Sequence, residues 1–234
     1  MLVVLAWTYL IVLDFNMPEM SQGLHPWLPI DFAMMFLMWT VMMAAMMIPS
    51  AMRAILIYAR ISTKTKSQGQ SIAPVSFFVS GYLAVWTLFS LSATVLQWGL
   101  EMAALLSPMM VLTSSSLGAV LLIAAGIYQL TPLKDACLKH CQSPVMFIAN
   151  HYKKGLQGAI QLGVKHGLYC LGCCWMLMGL LFLGGVMNLV WIFAISLFVL
   201  IEKSLPAHFY SAQLTGLGMM SIGFFYLATN SPVF

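Results

Sequence analysis

Charge is what this 234-residue chain lacks: Asp, Glu, Lys and Arg supply 7% of it, where a water-soluble domain carries about a quarter. So little polar surface excludes a soluble globule. The ten basic residues are spread through short connecting segments, which argues for a topology signal and excludes a nucleic-acid reader. No glycine-rich phosphate loop, nucleophile elbow or Cys-x-x-Cys-His signature occurs, so kinase, hydrolase and haem readings have no support. Cysteine is scarce and odd in number, five in all. That count does not fit a secreted disulfide framework and reads as a set of reduced thiols.

What is present is apolar: 62% of the residues are hydrophobic and the mean hydropathy is +0.94. These values imply an all-α fold, a polytopic transmembrane helical bundle within a single integral membrane domain over residues 1–234. The first apolar run, Leu2–Leu13, is shorter than the ~17 residues of a spanning helix. It lacks the basic start and cleavage site of a secretory signal, so it reads as a truncated, tilted or partial first helix. The Asp14–Asp31 stretch holds Glu19 and no Lys or Arg, and the positive-inside rule places it outside. Ile30–Met52 forms a second span ending at Arg53, with Arg60, Lys64 and Lys66 in a cytoplasmic loop.

Pro74–Leu100 crosses outward to a short turn marked by Glu101 and Pro108, and Val111–Leu130 crosses back. Lys134, Lys139, Lys153 and Lys154 place the Leu133–Gly158 segment in the cytoplasm. Gly167–Gly185 runs outward, turns at Asn188 and returns as Val190–Ile201 before Glu202 and Lys203; Phe209–Leu227 makes the last crossing. About seven helices result, with the N-terminus in the cytoplasm. Under this topology Cys137, Cys141, His166, Cys170, Cys173, Cys174 and Glu202 all fall near the cytoplasmic boundary, where a reducing compartment keeps thiols free.

Four ligating groups crowd into the short stretch from His166 to Cys174. At about 100° per residue, His166, Cys170 and Cys173 project within roughly 60° of one another on a helix, with Cys174 flanking them. Thiolate and imidazole on one face form a soft ligand set that selects Cu(I) or Zn(II) over hard cations. A lone cysteine in a membrane helix is more often a small apolar filler; three beside a histidine favour a metal. Gly167, Gly172 and Gly179 allow a neighbouring helix to approach closely.

The Cys137-Leu-Lys-His-Cys141 segment has one-turn thiol spacing, and it reads equally as a chelating pair or as two unrelated cysteines. His140 points away from their shared face. Met35, Met38, Met42 and Met46 follow three- and four-residue steps and make a stripe along the second span. Flexible packing accounts for such a stripe; so does a weak route for Cu(I), since thioether is a soft neutral ligand. Pro49 is expected to break or kink the end of that helix and free carbonyls near the basic loop, and Pro132 to act similarly. Glu202 reads either as an interfacial partner of Lys203 or as a group that orients a histidine or tunes metal charge. Asp31 and Glu101 read as boundary carboxylates, and His25 and His151 as solvated.

Four stretches together resemble a known family. They are Met38-Trp39-Thr40-Val41-Met42-Met43-Ala44-Ala45-Met46-Met47-Ile48-Pro49-Ser50; Tyr128-Gln129-Leu130-Thr131-Pro132-Leu133-Lys134 running on to Cys137 and His140-Cys141; Gly167-Leu168-Tyr169-Cys170-Leu171-Gly172-Cys173-Cys174-Trp175; and Glu202-Lys203. Over roughly Trp39 to Pro206 the chain resembles the bacterial predicted metal-binding integral membrane proteins, a family first registered as a domain of unknown function. One branch is similar to a copper chaperone that helps load a tyrosinase-like polyphenol oxidase. The resemblance implies metal handling by the methionines of the second span, Cys137, Cys141, Cys170, Cys173, Cys174 and Glu202.

The expectation is therefore a non-enzymatic copper-delivery protein of the bacterial inner membrane. Its ligands would come from Cys170, Cys173, Cys174, His166, Cys137, Cys141, Met42, Met46 and Glu202. The cargo would be Cu(I), with zinc as the alternative, and the partners the lipid bilayer and a copper enzyme or periplasmic copper carrier. Two rivals stand beside it. Cys170-Leu-Gly-Cys173 is also a C-x-x-C motif suited to a membrane thiol–disulfide oxidoreductase, and a single bound zinc would suit an assembly subunit.

Overall fold

The computed structural model describes residues 2–16, 27–67, 73–107, 110–153, 155–205 and 211–229. His25, Glu19, Pro108 and Lys154 lie outside them. The described residues form ten helices: α1 (Leu2–Asn16), α2 (Pro29–Ser67), α3 (Val75–Met102), α4 (Ser115–Gln129), α5 (Pro132–Gln142), α6 (Pro144–His151), α7 (Gly155–Gly179), α8 (Leu181–Gly184), α9 (Leu189–Ser204) and α10 (Ser211–Thr229). Among the described residues the fold is all-α, and each of the seven expected apolar segments is helical over most of its length. Three stretches, Pro29–Thr63, Val75–Met102 and Gly155–Gly184, are long and apolar enough to cross a membrane, and α4 with α5 makes a fourth if that bent pair counts as one span.

Two expected boundaries shift. The second span does not end at Arg53: α2 runs for 39 residues, about 58 Å at the α-helical rise. After Pro49 no further proline and no glycine interrupts the chain up to Ser67. Pro49 sits inside α2, and hydroxyls cover carbonyls of the turn it disturbs. Tyr82 Oη and Ser50 Oγ each donate to Met47 O at 2.9 Å, and Ser196 Oγ reaches Met46 O at 3.5 Å. The bond that Pro49 removes is the one to Ala45 O; the hydroxyls instead tie the next two carbonyls of that turn to Ser50, α3 and α9.

The Leu133–Gly158 segment is likewise no open loop. Thr131 Oγ1 accepts from Lys134 N at 3.3 Å with Pro132 just inside the helix start, a strong N-terminal signal. This start turns the chain by 64° between α4 and α5. Pro144 then opens α6. The resulting α5 lies along α7, bringing the segment between two apolar stretches into the bundle.

Close approach of α3 and α7 positions everything that follows. A Cβ built on Gly163 would meet Phe78 O at 2.0 Å, and one on Gly81 would meet Ile160 O at 2.3 Å. Both obstacles are backbone atoms, so neither can swing away. Gly167 adds a contact with Val85, whereas Gly179 has only an ordinary contact with Leu121 at 3.7 Å and does not serve as an approach point. Gly163→Ala is therefore expected to lower stability by about 3 kcal/mol, at the upper end of ordinary overpacking. Gly218→Ala, with open space around its Cβ, should leave stability unchanged or slightly raised. Reversible unfolding of the two variants in mixed micelles checks the contrast, and equal losses would refute it.

Candidate metal centre

The core that these helices enclose is rich in sulfur. Met38, Met42, Met43, Met46 and Met47 of α2 are all buried in one cluster with Cys170, Cys173 and Cys174 of α7. Three- and four-residue steps point both sets toward the seam between α2, α3, α7 and α9. Cys137 and Cys141 of α5 are half-buried and pack against the same cluster. All five thiols are free.

Cys170 sits at the convergence. Its Sγ accepts from Lys203 Nζ at 2.9 Å and lies 3.1 Å from Tyr82 Oη. Because the single Tyr82 proton has Met47 O at 2.9 Å as acceptor, a Cys170 S–H can donate to the phenol oxygen. A chain thus runs from Lys203 through Cys170 and Tyr82 to the turn at Pro49. Cys173 and Cys174 each donate to the Cys170 carbonyl at 3.0 Å, which points both sulfurs back toward the same turn. Cys174 Sγ also lies 4.0 Å from Met47 Sδ, joining α7 to α2 through sulfur.

Cys141 neighbours Cys170 and Cys173, so α5 folds its second thiol onto the α7 group. Cys137 lies over Gly172: a Cβ on that glycine would stand 2.7 Å from Cys137 Sγ. The missing side chain is what admits the thiol. Tyr128 Oη donates to Gly172 O beside it. His140 turns away from the thiols, as the spacing indicates, and stacks on Tyr169 with ring centroids 4.2 Å apart.

His166 is buried one turn before Cys170, among the rings of Phe78, Tyr82 and Phe147 at 6.0, 5.8 and 5.3 Å. Its Nδ1 is buried without a hydrogen-bond partner among the described residues. His151, expected to be solvated, is half-buried: its ring stacks on Phe147 at 4.9 Å and Nδ1 lies 3.0 Å from Phe147 O.

Glu202 and Lys203 do not pair with one another. Glu202 Oε1 meets Lys134 Nζ at 2.5 Å, with both side chains almost fully buried, while Lys203 reaches Cys170 and, at 3.2 Å, Ser50 Oγ. Successive helical residues diverge by about 100°, so the two charges serve different neighbours, α5 and the α2–α7 seam. Met42 and Met46 are buried at 0% and 1% exposure, yet Met47 brings its sulfur to a thiol. The stripe drawn by spacing runs one residue to the side of Met47, which only the resemblance includes, and neither points to Tyr82 or Lys134 as part of the site. A lysine written into an apolar helix end is the signal that was available for Lys203.

Among the described residues no three His, Cys, Asp or Glu side chains form a ready cage for one ion. The arrangement offers pairs of soft donors drawn from different helices. No curated protein and no solved structure matches the chain. A family model does: the PpoB2 family, described as copper chaperones, matches residues 36–226, a stretch that begins in the methionine-rich helix and takes in all five cysteines and Lys203. The chain belongs to this copper chaperone family.

Proposed function

We propose that this protein is a bilayer-embedded, non-enzymatic chaperone that takes Cu(I) onto the thiols of α7 and passes it to a copper enzyme or a periplasmic copper carrier. The observation that carries the reading is the sulfur junction of Cys170, Cys174 and Met47. With metal–sulfur bonds of about 2.3 Å, two ligands of a trigonal site stand about 4.0 Å apart, and Cys174 Sγ and Met47 Sδ are separated by 4.0 Å. Cu(I) accepts such two- or three-coordinate soft sites, whereas structural zinc takes four closed ligands.

Transfer requires ligands that can be exchanged one at a time. Cys141 and Cys137 on the separate helix α5 supply incoming thiols, and the buried methionines of α2 supply neutral, weaker ones. On binding, Cu(I) replaces a thiol proton, and the Lys203 ammonium offsets the negative charge of a dithiolate complex. Membrane embedding is supported by the apolar side chains that face outward, among them Leu88, Val190 and Leu214 at 66%, 80% and 71% exposure. Arg53, Arg60, Lys139 and Lys165 lie on the segments that carry or border the thiols. They support an inner-membrane orientation with this end and the N-terminus in the cytoplasm.

Anaerobically purified protein should bind Cu(I) in competition with a chromophoric chelator. Cys170→Ser with Cys173→Ser should lose most of that binding while keeping its helical circular dichroism. Unchanged copper content in the double variant, or a disulfide that cycles with quinone and no bound metal, would overturn the reading.

A further inference from the structure

The methionine-rich helix α2 has a second end, and sulfur gathers there as well. Gln97 of α3 is fully buried, and the indole of Trp39 donates to its Oε1 at 2.7 Å. That bond fixes which end of the amide is nitrogen. Nε2 then faces three acceptors: Glu101 Oε1 at 2.9 Å, Met110 Sδ at 3.3 Å and Met35 Sδ at 3.9 Å. Glu101, expected to be an ordinary boundary carboxylate, is held on its other oxygen by Trp27 Nε1 at 2.7 Å.

The geometry points to a second soft-cation site at this end of α2, formed by the thioethers of Met35 and Met110 with Glu101 as the balancing charge, and occupied in the resting protein by the Gln97 amide. Two thioethers converging on one polar atom are not explained by packing, since methionine fills apolar gaps without needing a donor. The backbone adds an independent sign. Met110 adopts φ = 56°, a left-handed conformation that a side chain other than glycine or asparagine seldom takes. Such outliers persist where the surroundings hold them, and here the outcome is a thioether sulfur on Gln97.

Thioethers are neutral, so a monovalent ion bound by them alone would leave a charge unbalanced away from water. Glu101 supplies the opposite charge at hydrogen-bonding distance from the same amide. The donor set, two soft sulfurs and one carboxylate, suits Cu(I) or Ag(I) and not Ca(II) or Mg(II), which take oxygen ligands throughout. From Met35 to Met47 is about 18 Å along the helix. Met38, Met42, Met43 and Met46 lie buried between. The site therefore stands at the far end of a row of buried methionines from Cys174, as a release or capture point. Its identification as a copper site rests on the copper-handling reading above; its existence as a thioether site does not.

Full-length protein in lipid nanodiscs, labelled with 13C at the methionine methyl groups, would be titrated with Ag(I), a redox-stable stand-in for Cu(I). Met35 and Met110 methyl resonances, assigned from the single leucine variants, should shift on saturation. Met35→Leu with Met110→Leu, a nearly volume-neutral change, should lose one bound equivalent and keep the thiol-held one. In Cys170→Ser/Cys173→Ser protein the two methyl shifts should persist. Methyl resonances that stay in place at saturation, or an unchanged stoichiometry in the double leucine variant, would overturn this site. Loss of neither equivalent in the serine variant would instead overturn the thiol reading and leave the thioether result standing.

Discussion

Lys203→Met is expected to weaken Cu(I) binding by about 100-fold or more, with Lys203→Arg recovering part of the loss. Lys203 Nζ lies 2.9 Å from Cys170 Sγ and is 5% exposed, so water does little to screen it. Two thiolates with one Cu(I) carry a net negative charge, and in this interior the ammonium is the cation placed against it. Removing one member of a buried charge pair costs about 3–5 kcal/mol, and about 3 kcal/mol corresponds to a hundredfold in affinity. The penalty falls on the loaded form, because with Cys170 protonated the metal-free protein has no ion pair to break at Lys203 and only an unpaired buried ammonium to lose. Stability without metal should therefore stay the same or rise while affinity drops. Competition with a chromophoric Cu(I) chelator measures this directly, and affinity within about threefold of the parent would show that Lys203 only packs.

The helical class and the thiol face of α7 were legible in the sequence because both follow from spacing along a single segment. His166, Cys170, Cys173 and Cys174 are buried on one side of α7, as 3.6-residue periodicity requires. What escaped is what depends on how helices meet. Lys203 has two kinds of candidate partner, Glu202 next to it and thiols far away in sequence, and chain proximity favours the wrong one. Met47 falls under the resemblance but not under the stripe, since a stripe drawn through Met42 and Met46 predicts the buried face but not which methionine touches a neighbour. Glycine was read on α7 alone: Gly167 and Gly172 do admit neighbours, while the tightest contacts, Gly163 against Phe78 and Gly81 against Ile160, are reciprocal features of a pair of helices. Pro49 is expected to break or kink the end of α2; the helix runs on past it, with the adjoining turn tied by hydroxyls of α3, α9 and α2 itself.

Breaking the Lys134–Glu202 pair should be the most destabilising change of those considered, and removing it whole should be mild. Both side chains are nearly inaccessible, at 1% and 2% exposure, with 2.5 Å between Nζ and Oε1. Glu202→Leu leaves an uncompensated buried ammonium, and Lys134→Met an uncompensated carboxylate. Each should lower stability by about 3–5 kcal/mol, whereas replacing both partners by apolar residues of similar volume is often neutral or stabilising. The pair also tests what Glu202 does. If it acts on the metal, Lys134→Met with Glu202→Leu will regain stability and still lose Cu(I). If it pins α5 to the end of α9, the double variant will regain both. The second outcome is expected, because a separate tie holds the same junction: Gln142 Nε2 donates to Glu202 O at 3.1 Å and to Leu205 O at 2.8 Å. Those bonds use the backbone of α9 and survive the substitutions, so Cys137 and Cys141 should stay beside the α7 thiols. Unfolding midpoints and Cu(I) stoichiometry measured on the same three variants separate the two roles.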